Sequence, residues 1–507
     1  MSTIIDLWQD TERRHGHRVA LADGGRRTTY SELGRDIRRL AGMLQTRWET
    51  AAGDVVGLLA PNTLEFVLGY FAVVHCGAVV QPLDERLTPE EIAGVLNDSE
   101  AQRILVHRTL WPKLAAVRER LPRLQRVLGF GIEDPGVESF AEWACQPEEG
   151  FRGASVTPDL VAELMYTSGT TGAAKGVMRT HANVRAISQL ALRGFGYRSD
   201  DVIAIVMPMS HSSALASQMM PFVEIGGTIV PLERFDAALL LERIREERVT
   251  CLRAVPTVFR TLLLHPGFGR GELPSLRLVM NSSAAIDPET FTALKKRFPA
   301  IEMVNSYGLT EASTCTILGD REALQRPDSI GVPIEGVEMA VMDEDGDPAP
   351  PGAEGEIWVR GAHVFAGYRN RPAATGAALA PGGWLRTGDI GHRDADGFYY
   401  FHGRKDDVIN CAGRKYAPLE VENCILELPG VVEAAVVGVP HKALGQVAKA
   451  YVVLNPGSAA DTREIKRHCA RRLASHKVPF AVEAVARLPK NSVGKILYRD
   501  LKNRASS

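Results

Sequence analysis

Short β-branched apolar runs alternate along the chain with segments whose apolar residues recur at helical spacing. The pattern predicts strands at 54–59, 78–82 and 103–107, with helices at 63–75 and 89–97 between them. The same alternation returns with strands at 201–207, 227–231, 251–255, 276–281 and 302–306. Strands that alternate with helices predict βαβ units and a largely parallel sheet. The longest apolar stretch, Phe66 to Val80, is about 15 residues, short of the roughly 20 that span a bilayer. It contains His75 and follows Pro61, Asn62 and Glu65, so it reads as a buried helix followed by a short strand.

After about residue 330 the pattern changes. Residues 331–342 and 355–360 read as strands broken by Asp343-Glu344-Asp345-Gly346-Asp347 and by a turn at 348–352, which predicts an antiparallel region. A compact α+β pattern follows, with helix 418–428, strands 431–439 and 449–454, and helix 462–473. The change at 404–407 predicts a boundary between domains 1–405 and 406–507.

Composition removes several classes of function. The chain has 507 residues, 59 Lys+Arg against 61 Asp+Glu, 45% hydrophobic and 24% charged residues. This is ordinary globular composition, and the absent basic excess argues against nucleic acid as the main partner. Seven scattered cysteines with no CxxC pair argue against a disulfide framework or zinc site and fit a reducing compartment. Met-Ser-Thr-Ile-Ile-Asp carries no export signal and Ala-Ser-Ser no peroxisomal address, so a cytoplasmic protein is expected, as a monomer or homodimer.

The sharpest local signal is Tyr166-Thr167-Ser168-Gly169-Thr170-Thr171-Gly172-Ala173-Ala174-Lys175-Gly176-Val177 behind an apolar strand. Two glycines allow the backbone N–H groups to point inward, four hydroxyls add donors, and Lys175 adds a point charge. Such a loop suits a polyphosphate. It is not a Walker A loop, because Lys175 is followed by Gly176 rather than Ser or Thr, so any metal ligand comes from elsewhere. Two acidic turns are distractors. Asp343–Asp347 has its Gly misplaced for an EF-hand and no Glu at the twelfth position. Asp394-Ala395-Asp396-Gly397 reads as a hairpin turn.

The loop resembles the signature of the adenylate-forming superfamily, which includes acyl-CoA synthetases, luciferases and peptide-synthetase adenylation domains. Further segments match in the same order: residues 83–91, Asn305-Ser306-Tyr307-Gly308-Leu309-Thr310-Glu311, 355–361, Trp384-Leu385-Arg386-Thr387-Gly388-Asp389, Gly403-Arg404-Lys405-Asp406-Asp407, and Pro489-Lys490-Asn491-Ser492-Val493-Gly494-Lys495. The resemblance runs from about residue 50 to about 500.

What it implies is a set of expectations. The fold would be α/β, with a large N-terminal domain of parallel-rich βαβ sheets plus a β-barrel-like region, and then a small mobile α+β lid. The substrates would be ATP with Mg2+, a small carboxylic acid, and coenzyme A. Thr167, Ser168, Gly169, Thr170, Thr171, Gly172 and Lys175 would hold phosphate. Ser283, Ala284, Ala285, Asn305, Tyr307 and Gly308 would lie against adenine. Asp389 and Arg404 would hold ribose or phosphate, Thr310 the α-phosphate, and Glu311 the metal. Lys495 would bridge carboxylate and α-phosphate, Asp406 would be the hinge, and Gly413 would line the pantetheine path. Ala412 departs from a pattern that often has a second glycine there. His211, Ser212, Met207 and Gly308 would border the acid. Ser212 stands where amino-acid-activating relatives carry Asp, which implies a plain carboxylic acid rather than an α-amino acid. Two alternatives stay open: loading of a carrier-protein phosphopantetheine instead of CoA, and a non-catalytic nucleotide-binding protein.

Overall fold

The computed structural model describes residues 2–506 except 145–149, 168–173, 270–272, 283–285, 287, 456–457, 459–460 and 491–494. The expectations for Ser168, Gly169, Thr170, Thr171, Gly172, Ser283, Ala284 and Ala285 lie outside the described residues. Two compact units form. One takes Met1–Ser168, Ala174–Glu338 and Val359–Leu385, and the other takes Met339–Trp358 and Arg386–Ser507.

The first unit contains two sheets. In one, the strands run Gly367–Tyr368, Lys175–Thr180, Val161–Thr167, Val79–Pro82, Val55–Leu59, Arg103–His107, Arg126–Phe130, Glu138–Ser139. All the pairs from Val161–Thr167 onward are parallel. Val55, Val56, Leu58 and Leu59 are all buried, the continuous apolar run expected of a strand covered on both faces. Helix Leu64–His75 is buried nearly all round, as its unbroken hydrophobicity requires. In the other sheet, Val19–Asp23, Thr228–Pro231, Val202–Ile205, Cys251–Ala254, Leu278–Asn281 and Glu302–Leu309 pair in parallel, and Ser313–Leu318 and Ser329–Pro333 continue it antiparallel. The helix that follows the phosphate hairpin, His181–Phe195, starts at a capping box in which Thr180 and Asn183 satisfy each other's backbone N–H groups.

Two sequence expectations are corrected. Residues 331–342 do not form one strand. Ser329–Pro333 and Glu338–Met342 are separated by a turn closed by Val337 N–H on the Ile334 carbonyl (2.8 Å), with Gly336 at φ +97°, a conformation that costs glycine little. Nor does the β-rich region close into a barrel. Among the described residues, Glu338–Met342, Gly355–Arg360, Trp384–Arg393 and Tyr399–Arg404 follow one another in an open sheet with Glu338–Met342 at its edge. Closure would need the first and last strands to pair, and they do not.

In the second unit the strands run Arg414–Tyr416, Ile409–Cys411, Gly445–Leu454, Val431–His441, with Ala481–Ala484 also on Gly445–Leu454. Val421, Ile425, Val436, Ala450, Val452, Ile465 and Cys469 form its core beneath helices Pro418–Leu426 and Thr462–Arg472. No helix among the described residues is long and apolar enough to cross a membrane.

Candidate active site

The expected phosphate loop joins two antiparallel strands, Val161–Thr167 and Lys175–Thr180, with Thr167 opposite Lys175. Both residues are half-buried at the described ends of the hairpin. The chain returns much later to this spot. Ala366 N–H donates to the Met178 carbonyl (2.9 Å) and Arg369 N–H to the Gly176 carbonyl (2.8 Å), so Gly367–Tyr368 adds a short strand beside 177–178. Phe365 N–H donates to the Glu311 carbonyl at 2.8 Å. Tyr368 therefore stands between two expected site residues. Its hydroxyl donates to Glu311 Oε1 (2.8 Å), and Lys175 Nζ lies 5.0 Å from its ring centroid, a cation–π distance.

Strand Glu302–Leu309 bears Asn305, Ser306 and Tyr307, all half-buried, and then Gly308, which is exposed. The register slips between Tyr307 and Gly308. A Cβ on Gly308 would stand 1.8 Å from the Ser313 carbonyl oxygen, so the tight return toward Ser313–Leu318 admits only glycine. Thr310 and Glu311 form this turn.

Arg179, fully buried on the hairpin's second strand, fastens three segments at once. Its Nη1 pairs with Glu163 Oε2 at 3.3 Å, and Glu163 is also fully buried and accepts from Tyr70 Oη–H at 2.6 Å. Its Nη2 donates to Ser212 Oγ and to the Thr310 carbonyl. The peptide that carries Glu311 and the segment expected to border the acid therefore hang on one guanidinium. A buried ion pair whose two terminal nitrogens are both engaged ties these segments together, with only Arg179 Nε left without a partner among the described residues.

The 207–212 segment is held from behind. Asn62 Nδ2 donates to the Ile205 and Met207 carbonyls (3.2 and 2.9 Å), and its Oδ1 accepts from Met209 N–H (2.7 Å). Met207, Met209, Met219 and Met220 are buried in the core, at 5%, 1%, 0% and 0% exposure. His211 remains partly exposed, and its Nε2 lies 3.0 Å from Asp84 Oδ2. A carboxylate on one ring nitrogen fixes the imidazole's orientation.

In the second unit Asp389 and Arg404 face each other across paired strands, Nη1 to Oδ1 at 2.6 Å. Asp389 is 4% exposed. Glu356 supports this turn, accepting from Gly388 N–H (3.0 Å) and pairing with Lys405 Nζ (3.1 Å). Asp406 lies in the single turn Lys405–Asp407. Ala412 and Gly413 form the two-residue turn between Ile409–Cys411 and Arg414–Tyr416, both left-handed at φ +51° and +82°. Lys495 is exposed.

The model of the AMP-binding enzyme family matches residues 8–369, and that of the AMP-binding enzyme C-terminal domain matches 420–495. The chain belongs to the AMP-binding enzyme family. Over 506 residues it is 31% identical to a 3-[(3aS,4S,7aS)-7a-methyl-1,5-dioxo-octahydro-1H-inden-4-yl]propanoyl:CoA ligase of Rhodococcus jostii, spanning 97% of this chain and 96% of that one. It is 35% identical to a feruloyl-CoA synthase of Amycolatopsis over 97% of each. Among solved structures it resembles ATP-bound MatB from Rhodopseudomonas palustris (TM-score 0.89, 28% identity, 99% of each chain). It also resembles the anthranilate CoA ligase AuaEII in complex with anthranoyl-AMP (TM-score 0.89, 27% identity, 99% of this chain and 97% of that one).

For this AMP-binding enzyme the structure adds residues that motif reading did not single out: Tyr368, Asp84, Arg179 and Glu163. Glu163 and Arg179 did leave a trace, since each is one charged residue inside an apolar strand run, but nothing local said that they pair. The donor set also fits magnesium on a triphosphate. Magnesium takes hard oxygen from one or two carboxylates and fills its shell with water and phosphate. Glu311 offers a half-buried carboxylate oriented by Tyr368.

Proposed function

We infer that this AMP-binding enzyme is an AMP-forming acid–coenzyme A ligase with the following division of labour. A carboxylate oxygen attacks the α-phosphorus of ATP, the bond to the β-phosphate oxygen breaks, and pyrophosphate leaves with that electron pair. The thiol sulfur of coenzyme A then attacks the acyl carbon. The acyl–oxygen bond breaks, AMP leaves, and the thiol proton is lost to solvent. Adenylation is needed because hydroxide is too poor a leaving group for a thiol to displace directly.

Thr167 and Lys175 hold phosphate oxygens, with Lys175 kept in place over the Tyr368 ring. Glu311 holds magnesium, which supplies charge neutralisation at the phosphates. Tyr368 keeps the Glu311 carboxylate turned toward that task. Asn305, Tyr307 and Gly308 border the adenine, and Thr310 the α-phosphate. Asp389, an acceptor-only carboxylate, takes the ribose hydroxyls, with Arg404 beside it. Lys495 offsets the repulsion between carboxylate and α-phosphate as they meet. Domain 406–507 turns about Asp406 between the half-reactions, and Gly413 leaves room for the pantetheine arm. His211, Ser212 and Met207 border the acid. Among the described residues no carboxylate there awaits an α-ammonium, since Asp84 is committed to His211, so the acid is a plain carboxylic acid.

The observation that carries this reading is the Lys175–Tyr368–Glu311 arrangement beside the hairpin. Pyrophosphate release is the test, with an acid panel and then with CoA against holo carrier proteins. Acid-dependent release followed by acyl-CoA formation is expected. Lys495→Ala should lower acid-dependent exchange of pyrophosphate into ATP by roughly 100- to 1000-fold with an unchanged melting curve. Near-normal exchange in that variant would remove Lys495 from the chemistry.

A further inference from the structure

The two buried arginines among the described residues, Arg179 and Arg253, are treated differently by their surroundings. Arg179 has Glu163. Arg253, in the fully buried strand Cys251–Ala254, is 3% exposed and has no carboxylate within ion-pair distance among the described residues. Its Nη2 donates to Ser306 Oγ (3.1 Å) and Thr314 Oγ1 (3.2 Å), while Nε and Nη1 meet no geometric hydrogen-bond partner among the described residues. One face of the guanidinium lies 4.7 Å from the Phe195 ring centroid. Tyr197 faces it too: its hydroxyl proton goes to the Ser217 carbonyl or Met280 Sδ, and its oxygen remains an acceptor toward the guanidinium. Burial presses the guanidinium below its ordinary range. An uncompensated buried charge with idle donors is a costly arrangement, and it is resolved if an anion arrives with the ligand.

The position suits an anion on the acid. Ser306 is half-buried between Asn305 and Tyr307, so Arg253 stands one hydroxyl behind that stretch. Thr314 Oγ1 is shared with Ser217 Oγ (3.2 Å), and Ser217 Oγ with Ser313 Oγ (2.9 Å). Ser217 lies one turn beyond Ser212 and Ser213, in the π-helical turn Leu215–Met219, a form of helix frequent at functional sites. Thr314, which accepts from Arg253, has its own proton to donate, whereas the Ser306 hydroxyl gives its proton to the Asn281 carbonyl (3.2 Å).

We propose that Arg253, with Ser306 and Thr314, forms a subsite for a second carboxylate at the far end of the acid, so that the substrate is a dicarboxylic acid adenylated at one end and anchored at the other. Arg253 acts here as a specificity residue with no part in the bond-making steps. The inference rests on the acid–CoA ligase reading and names its substrate class.

The test uses the full chain, ATP and sets of three acids sharing one carbon skeleton, whose far end is a carboxylate, a ketone or a methyl group, read by pyrophosphate release. Wild type should favour the dicarboxylate over the methyl acid in kcat/KM by about 100-fold or more. Arg253→Met should lose that preference mostly through KM and accept the methyl acid at least as well as wild type does. Arg253→Lys, which keeps the charge but not the planar fork, should retain a reduced preference for the dicarboxylate. A merely structural arginine would lower all three acids together. A wild-type preference for the methyl or keto acid, or an Arg253→Met variant that keeps the order of the three, overturns the proposal. Should that variant melt early, the wild-type ranking and the lysine variant decide. Release with monocarboxylates alone sinks only this subsite, whereas no release with any acid sinks the ligase reading itself.

Discussion

Among the described residues each unit buries one glutamate, and the two are handled in opposite ways. Glu163, in the phosphate hairpin, has Arg179 and the Tyr70 hydroxyl. Glu422, on helix Pro418–Leu426 of the other unit, has the Val436 N–H (2.7 Å) and the Tyr498 hydroxyl (3.1 Å) and, among the described residues, no cation. Burial pushes the Glu422 carboxyl up to about 7. Where a counter-ion accompanies the carboxylate, the pair becomes a junction from which Ser212 and Thr310 are hung. Where none does, the group trades its charge for a proton. The region that needs fixed atoms uses the first solution.

Removing one partner of the buried pair should have the largest effect. Glu163→Ala leaves Arg179 uncompensated and should cost about 3–5 kcal/mol in urea unfolding. The double variant Glu163→Met/Arg179→Met should recover much of that stability yet remain slow in pyrophosphate release, because Ser212 and the Thr310 carbonyl lose their donor. A fast double variant would reduce the junction to packing.

The second glutamate sharpens the contrast through pH. Its folded value of about 7 exceeds the unfolded value of about 4.3. Between these the folded state holds the extra proton, so stability falls as pH rises from about 4.5 to 7 and levels off above. Urea unfolding from pH 5 to 8 should show a decline of about 3 kcal/mol that Glu422→Gln removes. A group with no such shift would leave the two curves parallel.

Tyr368→Phe keeps the ring over Lys175 and removes only the hydrogen bond to Glu311. Adenylation should fall about 10-fold, as the loss of one bond to a charged group implies, with little change in melting temperature. Smallest of all, Ala412→Gly relieves an L-residue at φ +51° in a turn that needs φ > 0 twice. It should stabilise the second unit by about 1 kcal/mol, read as a shift in its unfolding midpoint.

What the sequence determined on its own was local and repetitive. Apolar runs between helical segments specified parallel sheets, because strands buried on both faces cannot carry an alternating pattern. Glycines, hydroxyls and Lys175 at short spacing marked the hairpin as the candidate phosphate loop, and the order of the later motifs marked the family. Spacing also misled: residues 331–342 read as one strand until Gly336 turned it. Tertiary structure alone decided the partnerships. Asp84 meets His211, Tyr368 meets Glu311, and Glu163 meets Arg179, leaving Arg253 with no acid among the described residues. Such pairs join segments distant in the chain through strand register and packing, and no periodicity along the sequence records which charge will face which once the sheets assemble.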